Sequence, residues 1–329
     1  MGRIVLVTGV SRYLGGKLAA HLAADPGVDR VIGVDVVAPT GSLHGMTLDG
    51  VDFVRADIRS PVIAKVLGEA EVDTVVHMGV LATPRQAGGR SAMKEINVIG
   101  TMQLLAACQK TPSIESFIVK STSSVYGCGP KDPAMFTEET EPRHTPTSGW
   151  AKDSVEVEGY VRGFSRRRPD VCVTTFRFAN FIGPVVRTPM TAYYGLPVVP
   201  TVMGFDARLQ FVHEDDGLES LRHAVHARKP GTFNVAGDGV ITLSQSIRRM
   251  GKKQLSVPQF MFSTIGRNLS RTGVVDFSPE QIRFMTYGRV LDTSDYTATF
   301  DHRLRYSTPD AFADFAHRDE SALSEVPNA

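Results

Sequence analysis

The run Ile4-Val5-Leu6-Val7 leads, with no polar residue between, into the glycine-bearing stretch TGVSRYLGG at 8–16. A strand without polar alternation is covered on both faces, as in parallel sheets with helices above and below. Leu14, Leu18, Ala19 and Leu22 recur at helical intervals, so a helix is expected over 14–24, directly after the glycines. The alternation then repeats. Strands are expected at Arg30–Asp35, Asp52–Asp57, Asp73–His77, Phe117–Ser121 and Val171–Arg177, with helices over 95–110 and 153–168. Strand–helix–strand repetition with short connections requires an α/β fold around a parallel sheet.

This order is that of a Rossmann-type, doubly wound parallel sheet. Past Asn180 the prolines at 184, 189, 197 and 200 break the chain into short pieces. The expected division is a dinucleotide-binding domain over 1–180, to which 205–240 returns. A smaller C-terminal substrate lobe takes 181–204 and 241–318, and 319–329 is a frayed polar tail. The net charge of +1 lacks the basic surplus that a nucleic-acid partner calls for. The first apolar run is too short for a membrane span and runs into a turn, so neither an integral membrane segment nor a signal peptide is expected. Residues 255–271 read as an amphipathic surface helix in preference to a membrane-touching one. Cys108, Cys128 and Cys172 make no paired framework, which points to reduced thiols and a cytoplasmic protein.

In the glycine stretch, Gly9 suits a tight turn and Gly15 a close approach of helix to strand. The free N–H groups and positive end of the following helix suit a pyrophosphate. Asp35 ends the second strand, where a carboxylate accepts adenosine ribose hydroxyls and repels a 2′-phosphate; NAD is therefore expected over NADP. Arg12 stands at the middle glycine position of the usual pattern. Its side chain narrows the room for the pyrophosphate, or lays a guanidinium along it.

The motifs that follow resemble those of the extended short-chain dehydrogenase/reductase family, the NAD-dependent epimerase/dehydratases. After the turn and Asp35 come ADIR at 56–59, HMGVLA at 77–82, NVIGT at 97–101 and STSSVYG at 121–127. RFANFIGP at 177–184, FVHEDD at 211–216 and GTFNVAG at 231–237 continue in the family's order. The resemblance implies that Gly9, Ser11, Arg12, Tyr13, Leu14 and Gly15 surround the pyrophosphate, with Asp57 and Ile58 at the adenine. It places Met78, Gly79, Val80, Asn97, Ser121, Lys152 and Phe178 along the rest of NAD. Leu81, Thr122, Ser123, Asn180 and Arg208 would face the substrate. It implies a UDP-glucose 4-epimerase-like layout, a nucleotide-sugar substrate, and a homodimer through a four-helix bundle. Val155, Val157 and Val161 are apolar positions on one of the bundle helices, although core packing explains them equally.

One residue departs from the family. Its acid/base is a tyrosine four residues before the lysine; here Lys152 and Glu156 are present and the tyrosine position holds Ser148. A phenol of pKa ~10 needs a few units of depression to act near neutrality, and an aliphatic hydroxyl is several units weaker and a ring shorter. If proton transfer contributes roughly 10²–10⁴ in rate, its loss raises the barrier by about 3–5 kcal/mol. Tyr126, His144, Tyr193, Tyr194, Trp150 and Asp153 are the nearby alternatives; none convinces, and Asp153 is expected on the helix surface. The segment 191–205 carries no charge, which suits a hydrophobic ligand as well as simple packing of the lobe. Two readings follow: a nucleotide-sugar enzyme of weak or altered activity, with Thr122, Ser148 and Lys152 at its centre, or a catalytically impaired NAD(H)-binding sensor or scaffold.

Overall fold

The computed structural model describes residues 2–39, 47–79, 88–261 and 278–317. Its main sheet is seven-stranded and parallel. Strands β1 (Arg3–Thr8), β2 (Val28–Asp35), β3 (Val51–Arg55), β4 (Thr74–His77), β5 (Ser116–Thr122) and β6 (Cys172–Phe178) each lie within two residues of the expected positions. Spatially they run β3, β2, β1, β4, β5, β6, and the late strand Gly231–Val235 pairs beyond β6. The order reverses between β1 and β4, the crevice where open α/β sheets bind ligands.

Helices cover both faces. On one, α1 (Tyr13–Ala23) and the helix Glu214–Ala227 bury Leu18, Leu22, Leu221 and Val225 against Val5, Val7 and Ile118. On the other, α2 (Val62–Glu69), the helix Thr101–Lys110 and the long helix Gly149–Arg167 bury Leu67, Leu104, Val157, Val161 and Phe164 against Leu6, Ile32 and Phe117. The alternate residues of β1 and β5 thus feed two cores, which is why neither strand has a polar face. Val157 and Val161 are spent inside the chain and leave nothing for a dimer contact. A short helix α3 (Arg90–Lys94) passes through a π-helical turn, Glu95–Gly100, into α4 (Thr101–Lys110). The long helix, α5, starts at Gly149, four residues before the expected Asp153.

Past the sheet, β7 (Asn180–Ile182) pairs with Phe211–His213. A second core then forms from the helix α6 (Pro189–Tyr194), the strand β8 (Val198–Val202), and the helices Leu243–Arg249, Pro279–Tyr287 and Thr308–Ala316. Tyr193, Tyr194, Val199 and Val202 are buried there, so packing accounts for the uncharged run at 191–205. The expected surface helix over 255–271 is corrected at its start. Leu255 belongs to the strand Lys253–Val257, paired with β8, and residues 262–271 lie outside the described ones. The tail 319–329 does too. No described helix is long and apolar enough to cross a membrane.

Candidate functional site

The glycine turn closes as its sequence requires. Gly9 has φ +75° and donates its N–H to Val34 O at 2.8 Å. A Cβ on Gly15 would stand 2.2 Å from Gly9 O, so strand and helix approach as only glycine permits. Arg12 is the N-cap of α1 and makes no side-chain cap, which leaves the helix's first N–H groups for a ligand. Asp35 lies against this turn: Oδ2 accepts the Ser11 N–H at 3.1 Å and Oδ1 the Val36 N–H at 2.7 Å. Burial lowers the Arg12 guanidinium's pKa while Asp35 pulls it back up, which places these two charges as neighbours. These features fit a dinucleotide. The Tyr13 hydroxyl is bonded to Glu214 and the Leu14 side chain packs on the core, so these two would meet a pyrophosphate through main chain.

The next motifs serve as joints of the fold. Asp57 accepts the Arg59 N–H at 2.8 Å and pairs with its guanidinium at 2.6 Å, and that bonding lowers the Asp57 pKa. Ile58 lies where a Cβ on Gly100 would meet it at 2.7 Å, which explains the glycine of NVIGT. His77 bridges Thr8 Oγ1 and Thr101 Oγ1, each at 2.9 Å, and Met78 N–H bonds Thr8 Oγ1 at 3.1 Å. Gly79, at φ +79°, leaves no room for a side chain beside Lys120 O. Val80 and Leu81 lie outside the described residues.

The N-terminal half of α5 is held from below by buried charges. Asp153 is completely buried, not on the helix surface as expected, because Arg90 pairs with both its oxygens and Asn97 Nδ2 donates to Oδ2 at 3.1 Å. Arg90 also bonds Gly149 O at 3.0 Å. Deeper, Ser121 Oγ donates to Glu158 at 2.6 Å, and Glu158 pairs with Arg177 at 2.7 Å. Arg177 bonds the Tyr126 hydroxyl at 2.9 Å, and that hydroxyl donates to Asn234 Oδ1 at 2.8 Å.

At the positions expected to be catalytic, Thr122 Oγ1 caps the turn Ser123–Tyr126 by accepting the Ser124 N–H at 3.2 Å. Lys152 is 44% exposed, its Nζ 3.9 Å from Glu156 Oε1, a carboxylate it shares with Lys94 at 3.7 Å. Ser148 is the N-cap of α5, yet its Oγ is buried and bonds nothing among the described residues. No described phenol takes its place. Tyr126 is locked in the Arg177 network, Tyr193 bonds Pro200 O, and Tyr194 meets Ser246 Oγ at 2.8 Å. Burial raises the pKa of all three. His144 is exposed.

Between sheet and lobe lies a narrow cleft of about 20 Å³. Ser124 and Cys128 line it from the end of β5, Trp150 and Ala151 from α5, Asn180 from β7, and Glu280 and Arg289 from the lobe. Asn180 thus lines the cleft, whereas Phe178 buries its ring beside Phe176 and Phe181 and can offer the cleft only main chain. Arg208 turns to Ala134 O at 3.0 Å and is not among the lining residues. Arg289 and Glu280, which sequence reasoning missed, are. The one signal was Gly288 before Arg289: at φ +72° it packs against the Arg208 backbone and so aims the arginine inward.

Comparison with known proteins agrees with this fold. An uncharacterized protein of Mycobacterium tuberculosis is 51% identical over 258 residues, 78% of this chain and 68% of that one. The dTDP-glucose 4,6-dehydratase of Bacillus anthracis in complex with NAD superposes with a TM-score of 0.74 at 18% identity, covering 98% of each chain. The UDP-glucuronic acid 4-epimerase of Bacillus cereus, with UDP-glucuronic acid and NAD, superposes at 0.73 and 19% identity, covering 98% of this chain and 100% of that one. At such identities the superpositions establish the fold. The family model matches residues 5–236, from β1 through the last strand of the sheet, and the chain belongs to the NAD-dependent epimerase/dehydratase family.

Proposed function

We propose that this protein holds NAD across the C-terminal edge of the sheet and acts on a nucleotide sugar in the manner of a UDP-glucose 4-epimerase, with low turnover. One observation carries the reading: Ser148 Oγ, four residues before Lys152 where the resemblance sets the phenol, is buried and bonds nothing described. NAD, when bound, accepts and returns hydride. The chain's own share is to hold the substrate oxygen at Thr122, to place the Lys152 ammonium by the nicotinamide ribose, and to exclude water with Trp150 and the lobe. A serine holds and orients a hydroxyl but is too weak an acid to exchange its proton quickly.

The same orphaned Ser148 oxygen favours a second reading, an NAD(H)-binding protein that has kept recognition and lost turnover. The family's homodimer belongs to the proposal as well, with Ile99 and Tyr160 exposed on the helices that would form the bundle. Native mass spectrometry of the protein purified without added ligand, followed by NMR of UDP-glucose incubated with it, separates the readings. Slow appearance of UDP-galactose supports the enzyme. Bound NAD(H) with no conversion over days supports the sensor, and absence of any dinucleotide affinity sinks both.

A further inference from the structure

Arg289 is a buried cation that makes no ion pair among the described residues. It is 7% exposed. Its Nε donates to Gly127 O at 3.0 Å, Nη1 to Ser123 Oγ at 3.1 Å and Nη2 to Cys128 Sγ at 3.3 Å, and the guanidinium lies 5.3 Å from the Phe284 ring centre. All these partners are neutral. Burial raises the Cys128 pKa even against the pull of Arg289, so the thiol stays protonated. Asp132 and Glu280 act on Cys128 from farther off, and neither pairs with Arg289. Glu280 is engaged with the Thr147 N–H at 3.3 Å. A guanidinium has five N–H donors, of which three are used here. A buried charge is costly unless paired, and the remaining donors belong to a residue that lines the cleft.

We propose that Arg289 receives a carboxylate on the sugar of the substrate, so that the preferred ligand is a nucleotide-linked uronic acid; this rests on the nucleotide-sugar reading above. Position along the chain selects the sugar over the diphosphate. Arg289 bonds Ser123, the neighbour of Thr122, whose hydroxyl is to hold the reacting sugar oxygen. Ala151, the neighbour of Lys152, lines the same cleft. The Trp150 indole and the amides of Asn180 and Gln281 complete a surface suited to a pyranose, whose apolar face and hydroxyls need such partners. A planar fork matches a carboxylate, which is the reason for an arginine here in place of a lysine.

The test is calorimetric titration of the NAD-loaded protein with UDP-glucuronate and with UDP-glucose, ligands that differ at one carbon. UDP-glucuronate is expected to bind at least tenfold more tightly. Arg289→Gln should bring it within threefold of UDP-glucose while changing UDP-glucose less than threefold. Retained NAD and an unchanged thermal midpoint show that the variant is folded; if it is not, Arg289→Lys replaces it, with the same loss expected from removal of the fork. Equal affinity for the two ligands in the unmodified protein overturns the inference. So does a variant that weakens both alike, which would assign the guanidinium to the diphosphate. If neither nucleotide sugar binds, the nucleotide-sugar reading fails by itself, and saturation-transfer NMR with D-glucuronate and D-glucose decides the carboxylate site. A glucuronate signal lost in the variant upholds it, and identical signals from the two sugars reject it.

Discussion

Arg90 and Asp153, 63 residues apart in the chain, meet in a two-pronged ion pair with both N···O distances at 2.6 Å and the carboxylate wholly buried. The pair sets the start of α5, because the same guanidinium bonds Gly149 O next to Ser148. Removing Arg90 strands a charge that Asn97 alone does not satisfy. Arg90→Met should lower the unfolding free energy by roughly 2–4 kcal/mol, somewhat below a fully buried pair because Arg90 is part exposed. Urea denaturation gives the value, and a loss under about 1 kcal/mol would show the pair to be incidental.

Restoring the phenol should restore chemistry. Ser148→Tyr is expected to raise UDP-glucose turnover by roughly 10²–10⁴, the usual contribution of a positioned acid/base. The measurement is NMR of UDP-glucose and UDP-galactose with NAD-loaded protein. A folded, loaded variant with no gain would show that Ser148 is not the vacated position.

Asp35 pins the Ser11 and Val36 N–H groups at the end of β2, where the proposed reading sets the ribose. Asp35→Ala should weaken NAD about tenfold, or ~1.4 kcal/mol. It should weaken NADP less, since the repulsion of a 2′-phosphate is relieved at the same time. Calorimetry with both dinucleotides reads the ratio, and an unaltered ratio would remove Asp35 from the ribose.

Stability should fall in acid through His77. Burial, with the Lys120 ammonium adding to it, lowers this imidazole from 6.5 to about 4, so it is neutral in the folded protein at pH 7. The unfolded chain takes up the proton first. Stability is therefore full above pH 6.5 and declines as pH falls toward 4, by up to about 3 kcal/mol. His77→Gln, which keeps hydrogen bonding to Thr8 and Thr101, should flatten that part of the profile. Thermal melts of both proteins across the window check it, and parallel profiles would refute the assignment.

The sheet could be read in advance because its information is local. Unbroken apolar strands, the Gly9 turn and helix-spaced leucines each declare themselves within a dozen residues. What escaped was set by distant partners. Asp153 follows Lys152 on a helix with charges on most sides, and nothing nearby announces Arg90 or Asn97 beneath it. Arg289 is one basic residue behind a glycine, and its burial arises from Phe284, Gly127 and Ser123, the last two over 160 residues earlier. Arg208, which the sequence offers as flanking the uncharged stretch 191–205, bonds Ala134 O.

The chain of contacts from Ser121 through Glu158 and Arg177 to Tyr126 and Asn234 rivets α5 to three neighbouring strands at mid-height. A helix fastened there acts as the fixed jaw of a vice. The opposite jaw, the helix Pro279–Tyr287, is bolted to the same sheet through Arg289, which bonds Gly127 O and Ser123 Oγ, so what enters between them meets two walls of set spacing.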